Sequence, residues 1–82
     1  MGRTEKLLDK LAQSKSTFNW NELVSLLAQQ GYEKREMAGS RVRFYNRTLE
    51  HTILLHKPHP ENYIKGGVLK SVKESLKQVG IL

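Results

Sequence analysis

The hydrophobic period of this chain changes twice. Trp20, Leu23, Leu26 and Leu27 recur at helical spacing, one apolar stripe. From Ser40 to Asn46 the pattern alternates, with Val42 and Phe44 on one side and Arg41, Arg43 and Tyr45 on the other, as in a strand. Helical spacing returns in Leu69, Val72, Leu76 and Val79. A chain with helical stripes before and after its alternating stretch is satisfied by packing those helices on one face of a sheet, which makes it α+β.

Local signals sharpen the boundaries. Residues 4–13 read as a short helix, with Thr4 as its cap and Leu7, Leu8 and Leu11 on one side. Gln13 to Thr17 is polar and reads as a connector. Asn19 is placed to cap the second helix, Glu22 to complete a capping box, and Phe18 and Leu23 to form a hydrophobic staple. Gly31 stops that helix. Tyr32 to Met37 is a first strand, Ala38-Gly39 a turn and Ser40 to Asn46 a second strand. Asn46-Arg47-Thr48 is a loop, and His51 to His56 is a third strand closed by Pro58 and Pro60. The last helix starts near Gly66 or Gly67 and stops at Gly80, with Lys70, Lys73 and Lys77 on its outer side. The expected order is α-α-β-β-β-α, a three-stranded antiparallel sheet with helices on one face. Val42, Phe44, Ile53 and Leu55 then point to the helices. Arg41, Arg43, Tyr45, Thr52, Leu54 and His56 point outward.

Charge bears on partners. The 82 residues, enough for one domain, carry 14 Lys and Arg against 8 Asp and Glu, a net charge of +6. Such an excess attracts nucleic acid, an anionic membrane or an acidic protein, although a basic surface also serves solubility. The absence of cysteine excludes disulfides, thiolate metal sites and cysteine catalysis. No stretch approaches the length of a membrane span, and the start, Met1 to Lys6, lacks the apolar region of a secretory leader. Gly2 alone is a weak lipidation signal. The expectation is a soluble, cytoplasmic protein that does not engage membrane.

Three segments carry candidate chemistry. An open face with Arg41, Arg43 and Tyr45 suits RNA, because arginine pairs with phosphate and both residue types stack on bases; it also suits an ordinary solvated sheet face. His56-Lys57-Pro58-His59-Pro60 concentrates imidazole and ammonium groups, and RNA cleavage needs a base, an acid and cationic groups for the phosphorane charge. A metal site is the rival, but His-x-x-His supplies too few ligands. A structural strand end and an exposed loop are the plain alternative. Lys65-Gly66-Gly67 before the last helix is either an anion seat or a glycine-enabled turn. Ser40 acts as a nucleophile only with a base beside it. His51 sits at a strand start and is assigned no role.

Taken in order, these pieces resemble the HicA family of toxins from toxin–antitoxin systems. The resemblance runs from about Trp20 to Leu82, and residues 1–19 read as an extension with a short helix. It is carried by the helix leading into Gly31-Tyr32, by Gly39-Ser40 before a strand, by His56-Lys57-Pro58-His59-Pro60 after the third strand, and by the helix from Lys65-Gly66-Gly67 through Leu76-Lys77-Gln78-Val79-Gly80-Ile81. It implies a fold like the double-stranded-RNA-binding domain, mRNA cleavage without metal or other cofactor, and neutralisation by a HicB-type antitoxin that covers the active face. One position departs. The family typically has Gly-Ser-His with a catalytic histidine, and this chain has Gly39-Ser40-Arg41. Arginine stays protonated and makes a poor base, though it still holds phosphate. The intact histidine segment favours an active endoribonuclease with His59, His56 and Arg41 as catalytic candidates. The RNA-binding candidates are Ser40, Arg41, Arg43, Tyr45, Lys57, Lys65 and Lys70, and no metal ligand is assigned. A module of the same fold that binds RNA or an antitoxin without cutting is the alternative.

Overall fold

The sheet forms where the alternation predicts it. A computed structural model describes residues 3–82, with side chains from Lys6 onward. The elements in chain order are α1 (Arg3–Gln13), β1 (Thr17–Asn19), α2 (Trp20–Gln29), β2 (Tyr32–Glu36), β3 (Arg41–Asn46), β4 (His51–His56), β5 (Tyr63–Lys65) and α3 (Gly66–Gln78). Strands β2, β3 and β4 form an antiparallel sheet in that order.

Burial alternates along β3 and β4 as the sequence requires. Val42, Phe44, Ile53 and Leu55 are buried with Leu23, Leu26 and Leu27 of α2 and Leu69, Val72 and Leu76 of α3 in one core. Trp20 meets Phe44 edge to face, with ring centroids 6.1 Å apart. Such a pair contributes about 0.5–1.5 kcal/mol beyond the area it buries. Both helices therefore lie on one face, and the other face is open.

The structure adds two strands to the expected order. Part of the polar connector and the residues after it form β1, which pairs antiparallel with β5 as Thr17↔Lys65, Phe18↔Ile64 and Asn19↔Tyr63. Phe18 and Ile64 from this ribbon are buried in the core. Asn19 ends β1 and caps α2, its Oδ1 accepting from the Glu22 N–H at 3.0 Å. The Glu22 carboxylate holds Lys10 at 2.6 Å and so ties α2 to α1. Leu11 of α1 is fully buried, with Leu7 and Leu8 packed against the core. The side chain of Thr4, the expected cap of α1, lies outside the described residues.

One buried polar residue fixes the α2–β2 corner. Asn46 is 2% exposed. Its Nδ2 donates to the Gln30 carbonyl at 2.9 Å, and its Oδ1 accepts from the Leu49 N–H at 3.0 Å. Gly31 stands beside it with φ +98, and a Cβ there would meet Asn46 Nδ2 at 3.4 Å. Glycine is needed at this point for the left-handed backbone.

Candidate nucleic-acid interface

Register places the open-face side chains in rows. Arg41 pairs with His56, Arg43 with Leu54 and Tyr45 with Thr52 across β3 and β4. On the other side Arg35 pairs with Arg43 and Glu33 with Tyr45. Because side chains alternate, all eight project from the uncovered face. Three guanidinium groups thus share it with one carboxylate, that of Glu33.

On the β2 side of the sheet a shallow hollow is lined by Glu33, Lys34, Arg35, Arg43 and Tyr45. The Arg43 guanidinium lies over the Tyr45 ring, 5.5 Å from its centroid. This cation–π contact holds both planar groups on the open side, ready to stack or pair. Beside them Leu54 is 65% exposed. Leu54, Met37, Arg41, Leu55 and His56 line a second hollow, in which three apolar side chains meet a guanidinium and an imidazole.

One end of the sheet gathers the candidate chemistry. The Met37 N–H donates to the Arg41 carbonyl at 2.9 Å, closing the loop 38–40, and Gly39 turns there with φ +68. The Lys57 N–H donates to the Ser40 carbonyl at 2.7 Å, which clamps that loop to the end of β4. Ser40 Oγ lies 3.5 Å from His56 Nδ1. Arg41 Nε donates to the Ala38 carbonyl at 3.2 Å, so its guanidinium is braced against its own turn. Ser40, Arg41 and Lys57 also line a small cleft with Glu36, Met37, Gly39 and Val42. A hydroxyl, a guanidinium and an imidazole are therefore brought together, with an ammonium at their edge.

The other candidates lie elsewhere. His59 is exposed in the loop after β4, and its peptide bond to Pro60 is cis. Lys65 is the N-cap of α3 with no side-chain cap bond, and its ammonium is 3.8 Å from Glu61. Lys70 lies on α3, whose apolar side packs on the covered face, so it does not share the open face with Arg43. It lines a groove with Ser14, Lys15, Lys73 and Lys77 instead. His51 stands at the opposite end of β4, its Nδ1 2.6 Å from the Tyr32 hydroxyl. Burial raises the Tyr32 pKa above 10.0. Among the described residues no group of three His, Asp or Glu side chains is placed to hold a metal ion.

Sequence reasoning missed Arg35, Met37 and Leu54 as members of the site. The alternation had put Leu54 outward, and its exposure was the available signal. Arg35 has none, because β2 carries a single apolar residue at its start and shows no alternation of its own.

A model of the family described as HicA toxin of bacterial toxin–antitoxin matches residues 20–81. The chain belongs to the HicA toxin family. Comparison with curated proteins and with solved structures found no match. Membership makes the chain a toxin-type member of a toxin–antitoxin pair and implies an antitoxin partner. The HicA match begins at Trp20, the first residue of α2, and leaves α1 and β1 outside it. No helix among the described residues is long and apolar enough to cross a membrane.

Proposed function

We propose that this HicA-family chain binds mRNA on its open sheet face and cuts it at the end where Arg41 and His56 stand opposite each other. The observation that carries the reading is that register pair, with Ser40 Oγ 3.5 Å from His56 Nδ1. The separation is long for a hydrogen bond, and such contacts often tighten only when substrate binds. With Nδ1–H donated to Ser40, His56 Nε2 keeps its lone pair and serves as base.

The balanced step is an internal transfer. His56 takes the proton of a ribose 2′-hydroxyl. The 2′-oxygen bonds to the adjacent phosphorus, and the bond from phosphorus to the 5′-oxygen breaks. That oxygen takes a proton from His59 in its imidazolium form, which the exposed loop after β4 brings to the leaving group as RNA binds. The products are a 2′,3′-cyclic phosphate and a 5′-hydroxyl, and proton exchange with water resets both histidines. Arg41 and Lys57 stabilise the charge that builds on the phosphorane oxygens. Arg43 and Tyr45 hold flanking nucleotides by phosphate pairing and stacking. The chain acts in the cytoplasm, and a HicB-type antitoxin silences it by covering the open face.

The test is labelled mRNA incubated with wild-type protein and with a His56→Ala, His59→Ala double variant, chelator present. Cleavage that the variant loses supports the reading. A variant as active as wild type sinks the assignment of the histidines. Arg41 in place of the family histidine favours a second reading, a non-catalytic RNA-binding module. RNA retained by the wild type without any cleavage selects it.

A further inference from the structure

A second concave surface lies away from the open face, between the end of α1 and the flank of α3. It is lined by Ser14, Lys15, Gly66, Leu69, Lys70, Lys73, Glu74 and Lys77. Four of these are lysines, and Glu74 is the one acid. Among the described residues Lys15, Lys70 and Lys77 make no ion pair or side-chain hydrogen bond. Lys73 is different. Its Nζ donates to the Ser14 carbonyl at 2.7 Å, and Ser14 Oγ donates to the Lys10 carbonyl at 2.7 Å. This chain of bonds fastens the end of α1 to the middle of α3. It sets the wall of the groove and delivers Lys15 to it.

We infer that this groove binds the sugar–phosphate backbone of the same RNA, outside the segment held on the open face. The inference rests on the RNA reading above and adds a second contact surface to it. Three unpaired ammonium groups on a solvated groove cost free energy through mutual repulsion, and a polyanion relieves that cost. Lys70 and Lys77 are seven residues apart on one helix, about 10.5 Å along its axis, so they present a line of charge rather than a point. A protein partner would need exposed aromatic or apolar anchors at the centre. The apolar lining residue here is Leu69, which is buried. Lysine also suits phosphate as a flexible point charge, without the paired geometry of arginine. Ser14 and Lys15 lie outside residues 20–81. The segment before the matched region therefore supplies one wall of the groove and one of its charges.

The experiment compares the full chain with a Lys15→Gln, Lys77→Gln variant and, separately, an Arg43→Gln variant on the open face. Binding to long polyuridylate is measured across a salt series. Each lost contact to single-stranded phosphate lowers the slope of log K against log salt by about 0.7, so the groove variant should lose about 1.4. On a uridine oligonucleotide too short to pass from one face to the other, the difference between groove variant and wild type should vanish. A groove variant with the wild-type slope on long RNA, while Arg43→Gln weakens binding, overturns the second surface and leaves the open-face reading standing. A wild type with no salt-dependent RNA affinity overturns both. Loss of antitoxin binding in the groove variant, with RNA binding intact, also overturns the inference, since the groove would then serve a protein. Circular dichroism melting of each variant separates lost contacts from lost fold.

Discussion

Arg41 stands directly across the sheet from His56, one residue past the serine whose hydroxyl approaches the same imidazole. A fixed cation and a titratable ring thus share one row at the sheet end, braced by Arg41 Nε on the Ala38 carbonyl. In the proposed reaction the ring moves the proton and the cation receives charge. Replacing His56 by alanine should lower single-turnover cleavage by about 10²–10⁴-fold, the range for loss of a general base. RNA affinity should change little. Replacing Arg41 by lysine keeps a charge but loses the brace and the planar fork, so the rate should fall less than with alanine. Equal rates for Arg41→Ala and wild type would remove Arg41 from the reaction.

Tyr45 and Arg43 should matter for binding and not for stability. Tyr45 is half-buried, Arg43 is exposed, and their contact is with each other on the open face. If Tyr45 stacks on a base, Tyr45→Ala should cost about 1–3 kcal/mol of RNA affinity. Fluorescence polarisation with labelled single-stranded RNA reads this directly. The melting temperature should move by no more than a few degrees. A Tyr45→Ala variant with wild-type affinity would show that bases do not stack there.

How much of this was legible beforehand depends on how local each signal is. The faces of β3 and β4 could be assigned because Val42, Phe44, Ile53 and Leu55 alternate within their own strands. The cap at Asn19 was legible because its acceptor and the Glu22 N–H are three residues apart. The ribbon of β1 and β5 was not. Each strand is three residues long, too short to display a period, and its pairing joins distant parts of the chain. The same holds for the Ser40–His56 approach, which the clamp between Lys57 and Ser40 creates. Lys70 was visible as charge, but helix periodicity does not tell which side of the sheet the helix will cover. Residues 1–19 read as an extension, and its apolar side was visible in Leu7, Leu8 and Leu11, but periodicity does not tell what that side packs on, which is the main core.

Asn46→Ala should destabilise the protein without touching the proposed site. Both arms of the amide are used, on the Gln30 carbonyl and the Leu49 N–H. Alanine leaves two partners without their bonds, at about 1–3 kcal/mol for each group that stays buried and unsatisfied. Small domains hold a margin of about 5–15 kcal/mol, so the loss should be plain in a urea melt. Gly31→Ala should also destabilise, through strain at φ +98. An unchanged melt for Asn46→Ala would mean that water replaces both bonds.

Tyr32 should make the fold sensitive to alkali. Burial disfavours its phenolate, so its folded pKa lies above the usual 10.0. Below pH 10 the hydroxyl is protonated in folded and unfolded chains alike, and its contribution to stability is fully present. Above that value the unfolded chain gives up the proton first. The unfolded state then binds fewer protons than the folded state, and stability falls with rising pH until the folded pKa is passed. The Tyr32 hydroxyl lies 2.6 Å from His51 Nδ1, and ionisation removes the proton it can donate there. Tyr32→Phe should be less stable near neutrality, because His51 loses its partner. It should also lose the part of the alkaline decline that belongs to Tyr32. Urea denaturation at intervals from pH 8 to about pH 11 tests both halves, with the slope read by proton linkage. The same decline in variant and wild type would place the alkaline sensitivity on other groups.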